Sequence, residues 1–140
     1  MSATIHNEYL NSEILRNTVL RNISALVHLG FFGGYIYTDE PVEVYSCDNE
    51  MFDNINCRYV DSLDNLDIVE INGILCTSFN QTVNDLLSEP DNIDESALAE
   101  ALSNYYHRNN RSFEGLVIND SNSDAFESIR SWAIEFYDEV

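Results

Sequence analysis

An Asn-Gly pair at residues 72–73 constrains the fold of this chain more than any other local feature. The pair lies between two runs rich in β-branched residues, DIVEI at 67–71 and ILCT at 74–77. A two-residue hairpin turn of type I′ needs positive φ angles at both central positions, and Asn and Gly adopt these most readily. The sequence therefore predicts a β-hairpin whose turn is Asn72–Gly73.

The segment upstream of the hairpin predicts one helix followed by strands. Apolar residues recur at helical spacing over residues 12–29, and Gly30 is placed to end that helix. Strand-like runs follow at residues 35–38, 42–47 and 57–60. Together with the hairpin, these runs place a strand region at residues 35–77.

Downstream of the hairpin the pattern is helical. Three polar residues stand where they can cap successive helical elements, namely Ser78, Asp94 and Ser112, and Ser123 is placed to open a final helix. The first of these helices must end before Pro90, and the helical segments together cover residues 79–138. Because strands and helices are segregated along the chain, we expect an α+β fold, with about four or five helices packed on a small, mostly antiparallel sheet.

Length and composition predict a single domain that spans residues 1–140. The hydrophobic fraction of 44% is sufficient for a core, and no Ser/Gly-rich linker divides the chain. No apolar run reaches the roughly 20 residues of a membrane helix, and the N-terminus lacks a secretory signal pattern. We therefore expect a cytoplasmic protein with no membrane partner. Free buried thiols in a reducing compartment are expected at Cys47, Cys57 and Cys76.

The chain is strongly acidic. Asp and Glu number 25 against six arginines and no lysine, which gives a formal net charge of −19. Ten of the carboxylates fall within residues 39–70, where Arg58 is the only cation. Such a surface repels nucleic-acid phosphates, so direct nucleic-acid binding is not expected. It favours a basic protein partner, whose encounter it would speed by electrostatic steering, although acidity can also serve solubility alone.

The motifs of common enzyme classes are absent. The sequence contains no Walker A loop and no G-x-G-x-x-G, G-x-S-x-G or H-E-x-x-H motif. Asp61, Asp64 and Asp67 recur every third residue, whereas calcium loops need tighter spacing and a glycine turn. We therefore expect a solvated loop there, and we predict no catalytic residue, no metal and no cofactor.

Carboxylates and tyrosines of the strand region are the candidates for binding a partner. Exposed tyrosines beside carboxylates are typical of protein-binding surfaces. The predicted partner-binding residues are Asp48, Glu50, Asp53, Asp61, Asp64, Asp67, Tyr45 and Tyr59. The alternative for the tyrosines is packing on the sheet, because Glu43 and Tyr45 can face one side of a strand while Val42 and Val44 face the other. Free edge strands and tyrosines would also allow a homodimer.

One stretch of the chain resembles a known family. In INGILCTSFNQTVNDLL, residues 71–87, the matching positions are Gly73, Thr77, Ser78, Thr82, Asp85, Leu86 and Leu87. With them, the pattern from Leu20 to about Ile118 resembles the C-terminal domain of AbiE-type, or type IV, antitoxins. Taken as residues, the motif is structural, because Ser78 can cap a helix while Thr82 and Asp85 can bond backbone or each other.

The resemblance implies an antitoxin-like module that counteracts a toxin of the nucleotidyltransferase type. The winged-helix DNA-binding domain of the family has no counterpart before residue 12, so the repressor function is not expected to transfer. A phage or mobile element could also use such a domain as an inhibitor.

Three functions follow from these observations. The first, which we expect, is a non-enzymatic acidic protein-binding module, antitoxin-like or an inhibitor of a basic nucleic-acid-processing protein such as a toxin or nuclease. The second is a DNA-mimic inhibitor of a defence nuclease, of the anti-CRISPR or anti-restriction type, whose carboxylates replace phosphates. The third is a divalent-metal-dependent enzyme that uses clustered carboxylates, with Asp61, Asp64 and Asp67 as its test residues.

Overall fold

The computed structural model describes residues 18–32, 42–47, 55–89 and 95–136, and these residues form an α+β fold as predicted. They comprise five strands and four α-helices, of which one helix lies between the first two strands and the other three helices follow the last strand. The elements are β1 (Thr18–Leu20), α1 (Asn22–Leu29), β2 (Val42–Ser46), β3 (Ile55–Tyr59), β4 (Ile68–Ile71), β5 (Ile74–Thr77), α2 (Phe79–Leu87), α3 (Glu95–Arg108) and α4 (Ser123–Glu135), with a 3-10 turn at Asp120–Asn122. The predicted strand at 35–38 and the predicted cap at Asp94 lie outside the described residues.

The strands form one sheet in the order β3-β2-β1-β5-β4. β1 pairs antiparallel with β2 and parallel with β5, β2 pairs parallel with β3, and β4 pairs antiparallel with β5. The sheet is therefore mixed, and the prediction of a mostly antiparallel sheet is wrong. One of the two parallel pairings comes from β1, which enters the centre of the sheet from a segment that the sequence assigned to a helix, and the other joins β2 and β3.

The predicted helix over residues 12–29 is correct only from Asn22 onward within the described residues. Thr18–Leu20 form a buried strand instead, with Val19 opposite Tyr45 and Leu20 opposite Val44. A short apolar run fits the period of a helix and of a central strand equally well, and pairing on both sides decides between them. The helix ends at Gly30 with φ of +83°, as predicted.

The hairpin prediction is confirmed. Asn72 and Gly73 have φ angles of +54° and +80°, and Ile71 pairs with Ile74 across the turn. The cap prediction at Ser78 is also confirmed, because its Oγ accepts a hydrogen bond from the Gln81 N–H at 3.1 Å. A side-chain cap of this kind satisfies one of the free N–H groups at the helix start.

Two apolar clusters hold the helices and the sheet together. One lies where α1 packs on the sheet and is built around Leu20, Ala25, Val42, Val44 and Cys76. The other joins all four helices and is built around Leu26, Val83, Leu86, Leu98, Leu102, Phe126 and Ile129. Val42 and Val44 thus face the core, as the alternation of β2 predicts.

Two smaller predictions are wrong. The segment after α3 forms turns in place of the helical element expected from Ser112, whose Oγ instead accepts from the Glu114 N–H at 2.9 Å. All three cysteines are free, but only Cys76 is buried, while Cys57 is half-buried and Cys47 is exposed. Across the described ranges, every helix is too short or too polar to cross a membrane.

Candidate functional site

The candidate site begins at the link between β1 and α1. Arg21 continues the extended backbone of β1, and Asn22 then starts α1 with φ of +52°. A positive φ is uncommon for a residue with a side chain, and asparagine is among the residues that tolerate it. Both residues are more than nine-tenths buried. A central strand that turns into a helix within two residues therefore places two buried polar side chains side by side.

A carboxylate and an aromatic ring hold the guanidinium of Arg21. Its Nη2 donates to Glu89 Oε2 at 2.8 Å, and its Cζ lies 4.7 Å from the centroid of the Tyr45 ring. Burial by itself would lower the pKa of Arg21. Contacts with Tyr45, Glu89 and Glu43 outweigh this effect and raise the pKa, so the guanidinium stays charged although its side chain is only 6% exposed.

The Tyr45 hydroxyl extends this network to α2. It donates to Asp85 Oδ2 at 2.8 Å, and Gln81 Nε2 donates to the other oxygen, Oδ1, at 2.9 Å. Burial is the main cause that raises the pKa of Asp85 and the pKa of Tyr45. Helix α2 therefore contacts the Tyr45 side of β2, and its Asp85 carboxylate lies at the hydroxyl end of the buried ring.

Asn22 joins two further carboxylates. Its Nδ2 lies 3.2 Å from Glu43 Oε1 and 3.2 Å from Glu89 Oε2. The backbone N–H of Glu43 donates to Ser24 Oγ at 3.0 Å, which ties β2 to the first turn of α1. Burial raises the pKa of Glu43, against the lowering effects of Asn22 and Arg21. Glu43 is thus a carboxylate whose charged form is only partly compensated.

A polar cleft of about 460 Å³ opens beside these groups, lined by Arg21, Asn22, Glu43, Asn56, Cys57, Arg58 and Glu89. Arg58 lies at its exposed side and donates from Nη1 to Glu89 Oε1 at 2.8 Å. Its side chain is 59% exposed, compared with 6% for Arg21. Glu89 therefore bridges a buried and an exposed arginine, one on each carboxylate oxygen, and the cleft is suited to groups that carry hydrogen-bond donors.

Two buried polar atoms at the cleft have no hydrogen-bond partner within the described ranges. They are Nε of Arg21 and Oδ1 of Asn22. Buried polar atoms are nearly always hydrogen-bonded, so an unsatisfied donor and an unsatisfied acceptor on neighbouring residues call for an explanation. Backbone strain at Asn22 adds to this, because residues with unusual φ angles cluster at functional sites.

The predicted partner-binding residues fall into three groups. Asp61, Asp64 and Asp67 are exposed on the loop between β3 and β4, and Tyr59 at the end of β3 is 52% exposed. Tyr45 is buried, so its ring lies in the network and not on a partner-binding surface, as the alternative of packing on the sheet had it. The other three, Asp48, Glu50 and Asp53, lie outside the described residues.

The candidate metal residues do not form a metal site within the part of the chain that the structure describes. No group of three or more His, Cys, Asp or Glu side chains there is arranged to hold an ion. The backbone of Asp67 is bonded to α2, whereas Asp64 bonds through its N–H to Ser62 Oγ within the loop itself.

Comparisons of the chain with protein-family models, with curated proteins and with solved structures find no match. The resemblance to AbiE-type antitoxins therefore stays a prediction from residues 71–87. Its structural interpretation holds in part. Thr82 Oγ1 donates to the Ser78 carbonyl and contacts Thr77 Oγ1, both at 2.6 Å, while Asp85 bonds Tyr45 and Gln81 in place of Thr82.

Sequence reasoning did not single out Arg21, Asn22 or Glu89. For Arg21 a signal exists, because it is one cation inside the apolar run TVLRNISALV, and a buried cation usually has a carboxylate partner. For Glu89 no local signal exists, because the residue lies 68 positions from Arg21 and only the fold brings the two together.

Proposed function

We propose that this chain is a non-enzymatic protein-binding module that engages a basic partner through the acidic loop, defined as residues 60–67, and the neighbouring Tyr59. The loop carries Asp61, Asp64 and Asp67, all exposed. Tyr59 is one of only two large apolar side chains that are mostly exposed within the described ranges. An exposed aromatic residue beside several carboxylates offers both an anchor and a steering charge.

The observation that carries the proposal is the way in which the acidic loop is fixed. At its start, the Val60 N–H donates to the Ser46 carbonyl at 2.9 Å. At its end, the Asp67 N–H donates to Gln81 Oε1 at 3.0 Å, and the Asp67 carbonyl accepts from the Ser78 N–H at 2.8 Å. A loop held through its backbone presents its carboxylates with little ordering cost on binding.

Two partner classes suit such a surface. One is a toxin of the nucleotidyltransferase type, as the resemblance of residues 71–87 implies. The other is a nuclease or another basic nucleic-acid-processing protein whose nucleic-acid site the carboxylates occupy. We expect both to present positive surfaces, and they differ in whether DNA competes with the acidic loop for the partner.

The test is capture of partners by the full chain from its native lysate at low salt. The variant Asp61→Asn/Asp64→Asn/Asp67→Asn keeps the backbone bonds of the loop while it removes three charges. The matched control is Glu114→Gln/Glu127→Gln/Glu135→Gln, which removes three exposed charges elsewhere. We expect a basic protein that the wild type and the control retain and the loop variant loses, with retention that weakens as salt rises.

Two results would contradict the proposal. One is a capture that recovers no basic protein, and the other is a partner that both triple variants bind equally. For a captured partner, added double-stranded DNA separates the two classes, because DNA displaces the chain only if the acidic loop occupies a nucleic-acid site.

A further inference from the structure

The cleft beside α1 has an excess of negative charge in its surrounding network. Glu43, Asp85 and Glu89 supply three carboxylates, whereas Arg21 and Arg58 supply two guanidiniums. Of these two cations only Arg21 is buried. If Arg58 swings away, Glu89 Oε1 loses its partner, and, among the described residues, Arg21 is then the one cation beside the three carboxylates of this network. The vacated position suits a cation from outside.

Arg58 shows which kind of cation fits. Its guanidinium donates to Glu89 Oε1 at 2.8 Å while most of its side chain remains exposed. Exposed ion pairs contribute little to stability, so this contact can be exchanged readily. A guanidinium from another molecule could take the same oxygen and reach deeper, because its planar fork of N–H groups can bond two acceptors at once.

Two residues that line the cleft each carry a buried side-chain atom without a hydrogen-bond partner in the described part of the chain, and these two atoms match the remainder of an arginine residue. Asn22 Oδ1 lacks a donor, and Arg21 Nε lacks an acceptor. A peptide arginine brings several N–H donors in its guanidinium and carbonyl acceptors in its backbone. Glu43 adds a reason to regard the cleft as functional. Asn22 and Arg21 offset only part of the cost of burying its charge, so Glu43 lowers the stability of the fold, and residues of this kind are typical of binding sites.

We infer that this cleft binds an arginine side chain presented by the protein partner, and that the incoming guanidinium displaces Arg58 from Glu89. The inference rests on the proposed function for the existence of that partner, but the cleft can be tested without it. The acidic loop then makes the first contact with the partner, and the cleft holds one arginine side chain of that partner.

The test is a titration of the full chain, labelled with nitrogen-15, with N-acetyl-arginine amide, followed by NMR. Shifts are expected in the Asn22 side-chain amide and in the backbone signals of Glu43, Arg58 and Glu89. Loss of the competing side chain in Arg58→Ala should tighten binding several-fold. Glu43→Gln should weaken it by about tenfold, as expected for one hydrogen bond to a charged group.

The control is Glu127→Gln on α4, which removes an exposed charge far from the cleft and should leave the affinity unchanged. N-acetyl-lysine amide should bind more weakly than the arginine probe, because an ammonium cannot bond two acceptors as a fork. The inference is overturned if the cleft signals do not shift, if Glu43→Gln and Glu127→Gln behave alike, or if the lysine probe binds equally well.

The outcomes for the cleft and for the proposed function are separable. If the arginine probe gives the predicted pattern while capture recovers no basic protein, the cleft assignment stands and the protein-binding function fails. If capture succeeds and depends on the acidic loop while the probe leaves the cleft signals unmoved, the function stands and the cleft assignment fails.

Discussion

Glu43, Asp85 and Glu89 lie inside a hydrogen-bonded network, whereas Asp61, Asp64 and Asp67 lie on an exposed loop that is fixed through its backbone. The inner carboxylates have specific partners, and burial raises the pKa of Glu43 and of Asp85. The difference teaches that a net charge of −19 does not assign a role to any single carboxylate. The networked carboxylates set the geometry of the cleft, whereas the carboxylates of the acidic loop are exposed and can contact a partner.

The sharpest test of the inner carboxylates, Glu43, Asp85 and Glu89, is removal of the buried Arg21. Arg21→Ala leaves Glu43 without the positive charge of Arg21 and Glu89 with the exposed Arg58 alone, and breaking a buried ion pair in this way costs about 3–5 kcal/mol. The free energy of unfolding, measured by urea denaturation, should fall by that amount. Arg58→Ala is the matched control, because Arg58 contacts the same carboxylate at the same 2.8 Å but is exposed. Its loss should cost less than about 1 kcal/mol.

Equal losses of stability for the two arginine variants would break the comparison, because they would mean that burial does not distinguish the two ion pairs. A loss for Arg21→Ala smaller than that for Arg58→Ala would contradict it outright.

Loss of the Tyr45 hydroxyl should have the next largest effect. Tyr45→Phe keeps the ring under Arg21 but removes a hydrogen bond to the half-buried Asp85, and such bonds to charged groups are worth about 1.5–3 kcal/mol. Urea denaturation should show a destabilisation in that range. Tyr59→Phe serves as the control and should be nearly neutral, because that ring is 52% exposed. If the two variants behaved alike, Tyr45 would have no special role in the network.

The pH dependence of stability should reveal Glu43. Because burial raises its pKa above the ordinary 4.5, the native chain holds this proton to higher pH than the unfolded chain does. The unfolding free energy contributed by Glu43 therefore falls as pH rises through the interval above 4.5 and then stays constant. Relative to Glu43→Gln, the wild type should lose stability over that interval, and at neutral pH the variant should be the more stable of the two.

Thermal unfolding of the wild type and of Glu43→Gln across a pH series measures this difference directly. A constant difference, or a wild type that gains stability relative to the variant as pH rises, would show that Arg21 and Asn22 compensate Glu43 fully.

The outer carboxylates should have the smallest effect on folding. Asp61→Asn/Asp64→Asn/Asp67→Asn changes exposed side chains only, so its unfolding free energy should stay within about 0.5 kcal/mol of the wild type per site, with any shift towards stabilisation as repulsion falls. Urea denaturation at low and high salt checks both statements. A large loss of stability would mean that these three carboxylates, like those of the network, take part in holding the fold together.

The parts of the fold that could be predicted are those that depend on the chemistry of a few neighbouring residues. The Asn72–Gly73 turn and the Ser78 cap follow from the conformations and hydrogen bonds of a few neighbouring residues. β1 could not be predicted in the same way, because Thr18–Leu20 form a strand only through partners at residues 44–46 and 76. The parallel pairing of β1 with β5, one of the two parallel pairings that make the sheet mixed, was missed with that strand.

The candidate site also has features that local sequence predicts and features that only the fold reveals. Exposure of the acidic loop could be predicted, because closely spaced carboxylates without cation partners are almost never buried. The cleft could not, because Arg21 and Glu89 are 68 residues apart in sequence. Tyr45 shows the limit most clearly. Its alternation with Val44 indicated the face on which it lies, but only the fold reveals that α2 contacts that face.

The most direct test of the central claim is the dissociation constant of the captured partner, measured against salt concentration for the wild type and the two triple variants. We predict that loss of Asp61, Asp64 and Asp67 weakens binding at low salt and flattens its salt dependence, since fewer charges act across the interface. Loss of Glu114, Glu127 and Glu135 should leave the constant and its slope close to those of the wild type. Equal changes in both variants would mean that net charge alone drives binding, and the acidic loop would then have no specific role.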